Sequence, residues 1–234
     1  MDISSVQKSI KKFLKKHKQT FDTLSSNQSK ALELAVTVGV SEHYRSNGYV
    51  VTVVNPKKSP RAFIVKTSTR GYPWSFSHLR FERDGIAYEA HMNLMVRSAH
   101  DQGKYCVDLG LTKPGAVPDK AAKVSWECAK NADLVTFAEV KKLVVYPMLL
   151  AQFVGIVHEI KPCFISGRLP RGFSKHEHLF PVLASLGNFS GNSSKIVDAY
   201  KSRNVRITIA ENFDVRLANV RGGHQKSPFV YKDV

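Results

Sequence analysis

Cysteine is scarce, with Cys106, Cys128 and Cys163 the three in a chain of 234 residues. An odd set without paired spacing excludes a disulfide framework and a paired zinc-ligand motif, and it predicts a reducing, cytoplasmic setting. Long apolar runs are missing too. The longest nearly charge-free stretch, 146–157, falls well short of the about 20 residues that a bilayer-spanning helix needs. No apolar segment with a small-residue cleavage site follows Met1, which predicts a non-secreted chain. Acid is in short supply: 19 Asp and Glu stand against 35 Lys and Arg, a formal net charge of +16.

What is present suffices for a folded core. A hydrophobic content of 43% excludes intrinsic disorder, and a chain of this size buries enough surface to need no covalent or metal staple. The basicity is not confined to one end. Residues 1–20 hold six lysines and one acid, a net +5, which leaves +11 for the remainder. Such an excess favours polyanionic partners, because phosphate contacts release condensed counterions. Nucleic acid is the expected partner.

Residues 4–21 carry a helical period. Lys8, Lys11, Lys12, Lys15 and Lys16 share one side, and Val6, Ile10, Phe13, Leu14 and Phe21 fall largely opposite. That lysine face suits a phosphate backbone or an anionic membrane surface, and equally a solvated cover over a core-facing stripe. The chain is therefore read as a basic amphipathic segment, 1–26, followed by one α/β domain over 27–234. The patterning predicts a helix over 29–44, then strands over 49–54, 61–67, 79–82, 86–96 and 104–111. Asp84-Gly85 marks a tight hairpin between the third and fourth of these. A short helix is predicted within 113–131, a strand over 134–143, and a helix over 146–159 whose apolar residues surround it. A short strand over 163–166, helices over 178–186 and 194–202, and a strand over 205–209 complete the pattern. The fold class is a mixed sheet flanked by helices, with an N-terminal helical and hairpin elaboration.

The chemistry concentrates in Glu139-Val140-Lys141. In a strand, Glu139 and Lys141 share a face about 7 Å apart, and an acid and a lysine inside an apolar strand are costly where they stand. A carboxylate there can hold a hard divalent cation, and the lysine can orient water or offset developing charge. A second acid must reach the same cation. Asp108 interrupts an alternating strand pattern and converges on Glu139 if the two strands are neighbours. Asp133 lies six residues along the Glu139 strand, roughly 20 Å away when extended, and Asp119 follows Pro118 in a loop.

A strand acid, Val107-Asp108-Leu109, followed by a strand bearing Ala138-Glu139-Val140-Lys141 and then by helix and strand, resembles the PD-(D/E)XK nucleases of the restriction-endonuclease-like superfamily. The matching stretch spans 86–210, with the 29–44 helix in the place of the family's leading helix. The resemblance implies Mg²⁺-dependent hydrolysis of phosphodiester bonds, Mn²⁺ substituting, with Asp108 and Glu139 as metal ligands and Lys141 completing the catalytic set. Double-stranded DNA is the implied substrate, cut endonucleolytically in a restriction or effector setting, by a homodimer or with a regulatory or specificity subunit. Some members carry a further acid on the leading helix, for which Glu33 and then Glu42 are local candidates, both read here as surface residues. One departure is that the literal Pro-Asp pair stands at 118–119, outside any predicted strand. The rival reading is a catalytically inactive nucleic-acid-binding protein on the same scaffold.

His91, His100, His158, His176 and His178 fall into no metal-ligand spacing apart from His176-Glu177-His178, which sits in a loop and reads as a surface pair. The glycines of 185–194 lack the G-K-[ST] ending of a phosphate loop. Tyr72, Trp74 and Phe76 alternate near Arg70 and Arg80, as packing under a hairpin or as a base-stacking strip.

Overall fold

The computed structural model describes residues 28–118, 126–174 and 177–213, and the backbone of 231–233. The lysine-bearing segment 4–21 and Asp119 lie outside the described residues. Helix α1 (Gln28–Ser46) is apolar on nearly every side, and Leu32, Leu34, Ala35, Val36, Val38 and Val40 are all buried. A helix of that composition needs cover all round, and it lies against one face of a single mixed sheet.

The sheet runs in chain order, from β1 (Val50–Val54) through β2 (His78–Arg83), β3 (Ile86–Arg97), β4 (Lys104–Thr112) and β5 (Leu134–Lys141). It continues through β6 (Val182–Ser185) and β7 (Thr208–Ala210) to β8 (Tyr231–Asp233). β1 to β5 pair antiparallel, β5, β6 and β7 pair parallel, and β8 returns antiparallel. The turn between β2 and β3 places Asp84 and Gly85 at φ +52° and +78°, the conformation that an Asp-Gly hairpin supplies cheaply. Helices α2 (Pro147–Ile160), α3 (Pro162–Ile165) and α4 (Ser193–Ser202) follow β5 and flank the opposite face. Among the described residues, no helix is long and apolar enough to cross a membrane.

Two layers of core result. Ala90, Met92, Leu109, Leu111, Ala138 and Val140 pack with α1, while Leu94, Val96, Val107, Phe137 and Leu183 pack with α2 and α4. Even-numbered residues of β3 thus change layer between Met92 and Leu94. Asn93, with a φ of +48°, stands at the changeover, and β4 changes layer at the same level, between Val107 and Leu109.

Four sequence expectations are corrected. Residues 61–67 form no strand. Residues 163–165 are helical rather than extended, with Ser166 as the cap, because Pro162 starts α3 at its first turn. The predicted helix over 178–186 is instead strand β6, since a short, continuously apolar run satisfies a buried parallel strand as well as a helix. The fourth concerns α2, which buries only Leu149, Leu150, Phe153, Val157 and Ile160 and leaves Met148 exposed. The described parts of 113–131 contain turns and an isolated bridge from Ala129 to Val96, and no helix.

Candidate active site

Strands β4 and β5 pair at Leu109 and Ala138, which brings Asp108 and Glu139 opposite each other one step further on. At that step the backbone ladder gives way to a side chain: the Val140 N–H donates to Asp108 Oδ2 at 2.8 Å. Lys141 Nζ lies 2.8 Å from Glu139 Oε2 and 3.6 Å from Asp108 Oδ2. The three expected residues therefore converge. Asp133 sits in the turn before β5, at the far end of the strand from Glu139, and is not part of the group.

Burial sets the electrostatics. Glu139 is 5% exposed, and its Oε1 has no hydrogen-bond partner. Desolvation, then the charge of Asp108, pushes its carboxyl up to about 7 against the opposing pull of Lys141. Burial draws the Lys141 ammonium down, but Glu139 and then Asp108 outweigh it, so the group is raised and stays charged. A buried carboxylate oxygen without a donor, beside a second carboxylate, is a set of hard oxygen ligands that fits a divalent cation such as Mg²⁺.

The leading helix contributes more than expected. Glu33 is buried rather than on the surface. Lys30 Nζ donates to its Oε1 at 2.6 Å and Asn93 Nδ2 to its Oε2 at 3.1 Å. Burial raises its carboxyl, and Asp108 adds to the rise, so Glu33 belongs to the same electrostatic group. Asn93 also donates to Lys66 O at 2.9 Å, while the buried Lys66 Nζ donates to Asn93 O at 2.8 Å and Ser68 O at 2.6 Å. Glu42 instead pairs with Arg45 on the outer side of α1. The available signal for Glu33 was a lone acid inside Ala31-Leu-Glu-Leu-Ala-Val36, and for Asn93 a lone amide in an apolar strand.

Glu139 and Lys141 form one wall of an open cleft of about 1000 Å³, faced by Gln152 and Ile156 of α2 and by Tyr200 and Arg203 at the end of α4. The exposed side of α2 lines this cleft, which explains its apolar residues beyond the buried stripe.

His178 is not a surface residue. It is buried, hydrogen-bonded through Nδ1 to the Tyr44 hydroxyl at 2.8 Å and through Nε2 to Tyr88 at 3.2 Å. Its neighbour Glu177 pairs with Arg83, and His176 lies outside the described residues. Tyr72 is exposed and stacks on Trp74 with ring centroids 4.5 Å apart, and Trp74 meets Trp126 edge-on. Comparison with protein-family models, curated proteins and solved structures yields no match.

Proposed function

We propose that this chain is a divalent-metal-dependent nuclease acting on DNA, with a restriction-endonuclease-like core. The observation that carries the reading is the meeting of Asp108, Glu139 and Lys141 where β4 and β5 part, with a buried Glu139 oxygen lacking a partner. The element order supports it: α1, the antiparallel β3–β4–β5, then α2, then β6 parallel to β5. The net charge of +16 suits a polyphosphate substrate.

Asp108 and Glu139 would hold the cation, which supplies a polarised phosphate oxygen and a water acidic enough to attack at neutral pH. Asp108 is held for that task by the Val140 amide, which fixes one of its oxygens. Lys141 keeps its charge beside two carboxylates, so it can donate to an attacking water or offset charge on the phosphorane-like transition state. Glu33 adds negative charge from α1, itself restrained by Lys30 and Asn93.

The test is incubation with plasmid, single-stranded DNA and RNA, each with Mg²⁺, Mn²⁺ or EDTA. DNA cleavage that needs the metal and is lost in Glu139→Ala and Lys141→Ala is expected. Cleavage by Glu139→Ala at the wild-type rate would sink the assignment. DNA binding without cleavage under every metal condition would favour an inactive binding protein instead.

A further inference from the structure

In the antiparallel half of the sheet, the β2–β3 hairpin assembles a second set of ligands that sequence spacing conceals. His78 and His91 lie one residue beyond the Leu79–Ala90 pair and so face each other across the two strands. Glu89 precedes His91 by two residues and shares its face of β3. One ligand atom from each of His78, Glu89 and His91 lies within 4.8 Å of the other two. The two imidazoles stack with centroids 4.5 Å apart.

His91 is the informative member. It is 4% exposed, and its Nε2 is buried without a hydrogen-bond partner. Glu89 Oε2 lies 3.7 Å away, an ion-pair distance but too long for a hydrogen bond. Two ligands of a tetrahedral Zn²⁺ at about 2.1 Å stand about 3.4 Å apart, close to that gap. Glu89 is held ready: Arg80 Nη1 lies 3.5 Å from Oε1, and the Gly115 N–H reaches Oε2 at 3.4 Å. A small cleft of about 160 Å³, lined by both histidines with Asn55, Lys57, Trp74 and Phe76, opens beside them and leaves room for a fourth ligand.

We propose that His78, Glu89 and His91 bind a transition-series divalent cation of the Zn²⁺ class, at a site separate from Asp108 and Glu139. Two imidazoles and one carboxylate are borderline donors that select Zn²⁺ over Mg²⁺, whereas the all-oxygen pair also suits Mg²⁺. The cation would pin β2 to β3 beside the loops at 55–57 and 74–76. The proposal does not depend on the nuclease reading.

The 234-residue chain is stripped with EDTA, dialysed, and titrated with Zn²⁺ alone and with Co²⁺ as a spectroscopic stand-in. Wild type should take up one equivalent with Co²⁺ absorption of tetrahedral intensity, and the Asp108→Asn/Glu139→Gln double variant should do the same. His78→Ala, at a half-buried position where truncation spares the core, and Glu89→Gln should each weaken uptake at least roughly tenfold. His100→Ala controls for the second cluster, His100, His158 and Glu159, and should leave uptake unchanged. No uptake by wild type, or undiminished uptake by His78→Ala, overturns the proposal.

Discussion

At the scale of single residues, Asp108 carries two duties that one substitution separates. Asn keeps an oxygen for the Val140 N–H but loses the charge that a cation needs. Asp108→Asn should therefore melt within a few degrees of wild type while the proposed cleavage drops by about 10²-fold or more. Asp133→Asn should cleave normally, and paired melting curves and cleavage rates check both. Asn93 offers a second test. Both Asn93→Ala and Asn93→Gly lose its two donated hydrogen bonds, but its left-handed backbone predicts that Ala costs more than Gly, by about 1 kcal/mol, in denaturant titrations. Asp108 and Glu139 were legible in the sequence because a charge inside an alternating apolar strand has no cheap structural explanation. Glu33 offered the same signal on a helix, but helices often turn an acid to solvent, and only the cover over every side of α1 removes that option. The His78–His91 pair was not legible, because the hairpin, not the chain spacing, brings the rings together.

Among elements, the C-terminal end of α1 is latched to the loop before β6 by two histidines held neutral. Burial pushes His43 and His178 down to about 4, and each accepts or donates within the latch, to Glu177 O and to Tyr44 and Tyr88. Both folded values lie below the unfolded value of 6.5, so their stabilisation is complete above pH 6.5 and is lost as pH falls toward 4. Each histidine adds up to about 1.4 kcal/mol per pH unit to the acid slope. Chemical denaturation at pH 7 and pH 5 should show a steep loss, and His178→Gln should flatten it by close to one proton's share. The bounds of α1 and of β2 to β5 were legible to within a residue or two. β6 was not. Its residues are apolar on both sides because helices cover both faces of the sheet there, and two-sided burial erases the alternation that marks a strand.

For the whole molecule, charge is the dominant quantity. Removing residues 1–20 subtracts +5 from +16, and DNA affinity measured against salt should fall with a flatter log–log slope, by about 0.9 for each phosphate no longer neutralised. An unchanged slope would assign those lysines to solvation alone. The experiment addresses the lysine face, Lys8, Lys11, Lys12, Lys15 and Lys16, together with Lys18.

The change from antiparallel to parallel pairing at β5 carries a kinetic consequence. β2, β3 and β4 join through short turns and can zip locally, whereas β6 is separated from β5 by a long connection that includes α2 and α3. Loop-closure entropy is paid before that pairing gives any return, so the parallel half should assemble after the folding barrier. Leu183→Ala, at a fully buried β6 position paired with Glu139, should then mainly accelerate unfolding, with a φ-value near zero. Leu94→Ala in β3 should mainly slow folding. The cleft beside Glu139 and Lys141 has α2 and α4 as its far wall, and so it would come into existence only in the last stage of folding.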